Sequence, residues 1–108
     1  MEAIWHVTTA GRPASPGGEG FVHCSFARQV PGTLHLHFAQ ASEVTLLRLD
    51  PVALGTRLKL EASRGGELFP HVYGNIQSAD VVGRVVLPRR NDGRLVDALA
   101  MSTLTNSV

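Results

Sequence analysis

The stretch EVTLLRLD, residues Glu43–Asp50, is the clearest β-strand of the chain and decides the class of fold. Its apolar residues fall on both faces, which is typical of a buried strand, and it ends at Asp50–Pro51 because proline interrupts a strand ladder. Outward from this stretch, five more segments show the aromatic or alternating pattern of strands. These segments are Ala3–Thr8, Phe21–Ser25, Arg57–Glu61, Phe69–Tyr73 and Asp80–Leu87.

Helical patterns are fewer and shorter. Ser25 is placed to cap a helix that begins at Phe26, and Pro31–Gly32 is expected to break or kink this helix. A second helical piece is expected over Thr33–Gln40 and a terminal helix over Leu95–Leu104. About six strands with one or two short helices and few long crossovers predict an α+β fold with a mostly antiparallel sheet.

The composition limits the classes of function. With 108 residues the chain fits a single domain, residues 1–108. Its formal net charge of +1 gives no electrostatic footprint for nucleic acid or for a membrane surface. No apolar run approaches the roughly 18 residues of a membrane span, the first residues do not resemble a signal peptide, and the lone Cys24 cannot form an internal disulfide. We therefore expect a cytoplasmic protein whose partner is a small molecule.

Three of the predicted strands each place a histidine two residues before a hydroxyl side chain. The pairs are His6 with Thr8, His23 with Ser25, and His71 with Tyr73. Because residues i and i+2 of a strand point to the same face, each strand offers an imidazole and a hydroxyl together. The opposite faces carry ordinary core residues, and Cys24 is expected to face the core rather than to act as a nucleophile. The pattern predicts one polar cleft. For any single histidine a structural bond to a loop carbonyl is the better interpretation, and for the three together the two interpretations are equal.

Metal binding is the next possibility for these histidines. Three imidazoles could hold zinc with one open position. However, His35 and His37 fall in a segment with a helical pattern, where residues two apart diverge by about 200°. No histidine stands with a carboxylate at the helical spacing His-Glu-x-x-His. We therefore expect no bound metal, and a metal-dependent enzyme is the least favoured class.

Four segments have residues in an order that is specific to one known family. They are Ile4–His6 (IWH), Glu19–Ser25 (EGFVHCS), Glu43–Leu54 (EVTLLRLDPVAL) and Gly66–Gly74 (GELFPHVYG). In these segments the chain resembles the bacterial family called domain of unknown function 952. The resemblance covers about residues 3–88 and leaves 89–108 as a C-terminal tail.

This resemblance implies the ADP-ribosyltransferase fold, an α+β domain with a split, mostly antiparallel sheet and a cleft for NAD. The pattern Trp-His-x-Thr followed by Gly-x-x-His-x-Ser is also similar to the opening of the NAD-dependent RNA 2′-phosphotransferases of that fold. By that likeness His6 would contact the ribose or nicotinamide side of NAD, and His23 and Ser25 would lie in the same cleft. His71 stands roughly where transferases of this fold carry a third motif residue, often a catalytic glutamate.

The leading hypothesis is therefore a protein that binds NAD or another nucleotide and carries out ADP-ribosyl transfer or NAD glycohydrolysis. NAD would be a substrate rather than a resident cofactor. The catalytic candidates are His6, His23 and His71, and the ligand-binding candidates are Thr8, Ser25 and Tyr73. Glu61 and Glu67 are possible acids, but no set of arginines matches those that the phosphotransferases use on the 2′-phosphate. A non-catalytic module that binds a small ligand in the same fold is the alternative.

Overall fold

Two antiparallel sheets form the computed structural model, which describes residues 2–9 and 16–88. The four-stranded sheet has the order β3-β1-β4-β7, and the three-stranded sheet has the order β2-β6-β5. The strands are β1 (Ile4–Thr8), β2 (Val22–His23), β3 (Ser25–Phe26), β4 (Glu43–Leu49), β5 (Leu58–Ala62), β6 (Leu68–Val72) and β7 (Val81–Pro88). Two short helices, α1 (Val30–His37) and α2 (Pro51–Leu54), complete an α+β fold, as the strand pattern predicts.

Short 3₁₀ turns join several of these elements. They span Ala27–Gln29, Gly55–Arg57, Arg64–Gly66 and Ser78–Asp80. Among the helices of the described residues, none has both the length and the apolar character that crossing a membrane requires.

The central strand of the larger sheet is β4, which pairs with β1 on one side and β7 on the other. Its residues 44–47 are all buried, in agreement with the two-sided apolar pattern of the sequence. Asp50 ends the strand, and its carboxylate accepts a hydrogen bond from the Val52 amide at 2.9 Å. This bond caps α2, with Pro51 in the first helical position, where proline is well tolerated.

Each face of the larger sheet is covered by its own apolar cluster. One face of β1 contributes Ile4 to a cluster that includes Val22 and Val72 of the smaller sheet. The other face contributes Trp5 to a cluster that includes Val30 of α1. Because side chains of a strand alternate, His6 shares the face of Ile4 and points toward the smaller sheet.

The segment Phe21–Ser25 is not one strand, and this prediction is wrong. Val22–His23 pairs with β6 in the smaller sheet, whereas Ser25–Phe26 pairs with β1 in the larger sheet. Between these pairs the amide of Cys24 donates to the carbonyl of Pro70 at 3.0 Å. The chain therefore passes from one sheet to the other at Cys24. The other predicted strands agree with the structure to within one residue at each end.

The predicted helix boundaries around Pro31 are also wrong. Ser25 lies in β3 rather than at a helix cap, and the amide of Phe26 donates to the side chain of Gln29 at 2.9 Å. Pro31–Gly32 lies in the first turn of α1 instead of breaking a helix, because a first-turn residue needs no amide hydrogen. The predicted piece Thr33–Gln40 therefore begins and ends three residues too late. The predicted terminal helix over Leu95–Leu104 lies outside the described residues.

Candidate functional site

A cleft of about 420 Å³ opens beside the point where the chain crosses between the sheets. Its volume falls within the roughly 300–1,000 Å³ of small-molecule sites. Its lining combines imidazoles, hydroxyls and aromatic rings. The polar lining side chains are His6, His23, His37, Ser25, Thr33 and Ser63, and the aromatic ones are Phe21 and Phe38. Among the lining residues Glu19 is the carboxylate, and it is exposed.

His6 reaches the cleft from β1 and is tied to the neighbouring sheet. Its Nδ1–H donates to the carbonyl oxygen of His23, with 3.0 Å between the two atoms. Burial lowers the pKa of His6 from its ordinary value, and the hydrogen bond to the carbonyl opposes that effect only in part. At neutral pH the ring is therefore uncharged, and its Nε2 is left as a hydrogen-bond acceptor.

His23 lies in β2, and the centroids of its ring and of the Phe69 ring are 5.2 Å apart. Burial, together with the nearby charges of His71, His37, Arg64 and His6, lowers its pKa to about 4. The imidazole is therefore neutral at pH 7. The cleft thus offers uncharged groups that donate and accept hydrogen bonds.

His71 lies directly opposite His23 on the adjacent strand β6, and the ring centroids are 5.3 Å apart. Its Nδ1–H donates to Glu61 at 2.8 Å, and the hydroxyl of Tyr73 donates to the same carboxylate oxygen at 2.7 Å. These two hydrogen bonds lower the pKa of Glu61, and the carboxylate in turn raises the pKa of Tyr73. The carboxylate therefore fixes the orientation of the His71 ring.

A phenyl ring separates His71 from the cleft. The ring of Phe21 stacks on that of His71 with 3.9 Å between centroids and an angle of 18°. His71 is 3% exposed, and its Nε2 has no hydrogen-bond partner among residues 2–9 and 16–88. His71 and Tyr73 therefore belong to a cluster around Glu61 behind the cleft wall.

The hydroxyl groups differ in their surroundings. Ser25 Oγ and Thr33 Oγ1 are 2.8 Å apart and form a hydrogen bond between β3 and α1. Both side chains are buried, at 1% and 3% exposure. Thr8 donates to the carbonyl of Thr9 at 3.4 Å and is not among the lining residues.

The structure thus brings together three of the six predicted site residues, His6, His23 and Ser25. The expected single surface is incomplete, because the Phe21 ring covers His71 and because Thr8 and Tyr73 do not line the cleft. Sequence reasoning missed the contributions of Thr33 and His37. Both lie in α1, whose first turn contains Pro31–Gly32 instead of ending there as the sequence pattern predicts. A reading of Pro31 as a helix start would have placed them near β3.

The remaining reactive groups are the possible metal ligands and Cys24. Within the described part of the chain, no group of three or more His, Cys, Asp or Glu side chains is arranged to hold a metal ion. Cys24 is buried in the cluster between the sheets, which confirms that it faces the core. Burial also raises the pKa of its thiol. This thiol is therefore not a nucleophile of the cleft.

Comparison with known protein families shows the family to which this chain belongs. The family described as "Protein of unknown function (DUF952)" matches residues 3–84. The chain belongs to this family. The range includes the strands that carry His6, His23 and His71. The resemblance in the four sequence segments is thereby confirmed at the level of the family.

Two solved structures of a Caulobacter crescentus protein, CC0527, are similar to this member of the family. The crystal structure is 26% identical with a TM-score of 0.78, and the match covers 93% of this chain and 98% of that chain. The solution NMR structure is 30% identical with a TM-score of 0.70, over 86% of this chain and 90% of that chain. No protein with curated annotation matches the chain.

Proposed function

We propose that the cleft binds NAD or a related nucleotide and that the domain has the ADP-ribosyltransferase fold. The observation that carries the proposal is the pair of neutral imidazoles, His6 and His23, that line the cleft, with the His6 ring bonded across the two sheets to the backbone carbonyl of His23. The likeness of the His6 and His23 segments to the opening of NAD-dependent phosphotransferases supports the same assignment.

The electrostatics of the cleft suit a ribose. Sugar hydroxyls and the nicotinamide amide are uncharged groups that both donate and accept hydrogen bonds. Neutral imidazoles can match either role, and Nε2 of His6 is available as an acceptor. Because His6 and the Ser25–Thr33 pair are held by hydrogen bonds between elements, they orient a ligand at little additional entropic cost.

The proposed chemistry is replacement of nicotinamide at C1′ of the ribose. The C1′–N bond breaks through an oxocarbenium-like state, and nicotinamide leaves with the electron pair. A bond then forms between C1′ and an acceptor oxygen, which loses its proton to a base; in glycohydrolysis the acceptor is water. Glu61 orients His71 for the role of base, and His71 reaches the cleft when the Phe21 ring moves aside.

One observation favours the alternative of a non-catalytic binding module. Among the described residues, no buried carboxylate lines the cleft to stabilise positive charge on the ribose. Glu19 is exposed at its edge, and Glu61 is engaged by His71 and Tyr73. In this alternative the same cleft binds a nucleotide without cleaving it.

Calorimetry with millimolar NAD, ADP-ribose and nicotinamide tests binding, and release of nicotinamide from NAD tests catalysis. The variant His6→Ala should bind about two- to tenfold more weakly, because one hydrogen bond contributes about 0.5–1.5 kcal/mol. The matched control is His35→Ala, which removes an exposed imidazole on α1. If none of the three compounds binds the wild-type protein, the nucleotide proposal is wrong. Binding without nicotinamide release favours the module.

A further inference from the structure

The guanidinium group of Arg64 is held in a defined position, and the preceding residue, Ser63, lines the cleft. Arg64 begins the turn between β5 and β6, and its guanidinium carbon lies 4.7 Å from the centroid of the Phe69 ring. Nη2 of Arg64 is 3.1 Å from the position that a Cβ atom on Gly32 would occupy. The absence of a side chain at Gly32 therefore leaves room for this cation.

Within residues 2–9 and 16–88, Arg64 forms no salt bridge, although its charge helps to lower the pKa of Glu67. Nη1 of Arg64 is buried and has no hydrogen-bond partner among the described residues. The carboxylate of Glu67 is already engaged, because it accepts hydrogen bonds from Arg28 and Gln29. A buried donor without a partner is unfavourable, so a group that supplies an oxygen here would gain both charge pairing and hydrogen bonds.

Arg64 and His23 share one aromatic neighbour, Phe69. Both side chains contact the buried ring of Phe69, and the charge of Arg64 acts on the His23 imidazole strongly enough to help lower its pKa. Residues adjacent in sequence to Arg64 and to Gly32 also lie at the cleft. Ser63 precedes Arg64 and Thr33 follows Gly32, and both line the cleft.

We propose that Arg64 and His23 form a subsite for a phosphate group of the ligand. The planar guanidinium donates two parallel hydrogen bonds to phosphate oxygens, and the neutral imidazole donates a third. The subsite deepens the proposed nucleotide function, since the diphosphate of such a ligand would supply the anion, but its binding of phosphate can be tested separately.

Inorganic pyrophosphate is the probe, at constant ionic strength set with chloride. NMR of the histidine ring nitrogens follows His23 during the titration. The variants are Arg64→Gln, Arg64→Lys and the control Arg84→Gln, which removes the same charge from an exposed position on β7. Urea denaturation of each variant without ligand reports whether Arg64 has a structural role.

We expect pyrophosphate to bind the wild-type protein and to raise the pKa of His23. Arg64→Gln should weaken this binding roughly tenfold or more, Arg64→Lys should have a smaller effect, and Arg84→Gln should have none. Without ligand, Arg64→Gln should be as stable as the wild type or more so, because it removes an unpaired charge. It should also raise the pKa of His23.

Several outcomes would overturn the subsite. These are equal binding by wild type and Arg64→Gln, a titration that leaves His23 unperturbed, or a loss of stability in Arg64→Gln that accompanies weaker binding of every ligand. If nicotinamide binds but pyrophosphate does not, the subsite is wrong and the nucleotide proposal stands. If pyrophosphate binds through Arg64 while NAD and ADP-ribose do not bind, the subsite stands and the nucleotide proposal is wrong.

Discussion

The hydroxyl pair between Ser25 and Thr33 allows a sharp test of how β3 is joined to α1. The oxygens are 2.8 Å apart and both side chains are almost fully buried, so water is a poor replacement for a lost partner. Ser25→Ala leaves the Thr33 hydroxyl without its partner, and Thr33→Val does the same to Ser25. Each single change should lower the free energy of unfolding by about 1–3 kcal/mol, the cost of an unsatisfied buried hydroxyl.

The double variant Ser25→Ala/Thr33→Val should lose much less than the sum of the two single losses. Replacing both partners by apolar groups of similar shape leaves no unsatisfied group, so the coupling should be about 1–3 kcal/mol. Urea denaturation measures the free energy of unfolding of the wild type, the two single variants and the double variant, provided that the m-values are unchanged. The control Thr8→Val, at a half-buried hydroxyl with a long 3.4 Å bond, should cost less than either single variant. Strict additivity in the double variant would refute the coupling.

Three further predictions concern titration, reactivity and metal. Because the pKa of His23 is about 4 in the folded state and near 6.5 when unfolded, the unfolded chain binds more protons between these values. The free energy of unfolding should therefore fall as pH is lowered from about 6.5 to 5, with a smaller slope in His23→Gln and an unchanged slope in His35→Gln; equal slopes would contradict the pKa. Cys24 should react with a thiol reagent at neutral pH only after unfolding, and fast labelling of the native protein would place the thiol outside the core. Purified protein should be metal-free by elemental analysis, and a chelator should leave its Tm unchanged; stoichiometric zinc would instead support the metal-dependent enzyme.

The strands of this fold are predictable because each has a local pattern. Glu43–Leu49 is apolar on both faces, and the structure buries it between two strands and two apolar clusters. The same local pattern cannot tell which sheet a strand joins. Val22–His23 and Ser25–Phe26 alternate like one strand, and their separation depends on pairing with β6 and β1, which are distant in sequence.

The candidate site is only partly predictable for the same reason. The i, i+2 pattern correctly identifies side chains that share a face of one strand, but it contains no information about neighbouring strands. His71 is therefore placed opposite His23 by strand register and hidden by Phe21, a contact that no spacing predicts. Arg64 lies in no sequence motif. Its proposed role depends on its contacts with Gly32 and Phe69, which lie on other elements.

The crossing of the chain at Cys24 has a mechanical consequence. His23 belongs to the smaller sheet and Ser25 to the larger one, with a single residue between them. Many clefts between sheets or lobes open by rotation about a flexible hinge. Here the amide of Cys24 is bonded to Pro70 and its side chain is packed in the core, so the connection has little freedom to extend. The width of the cleft at this point is therefore set by the covalent chain rather than by a hinge between the sheets.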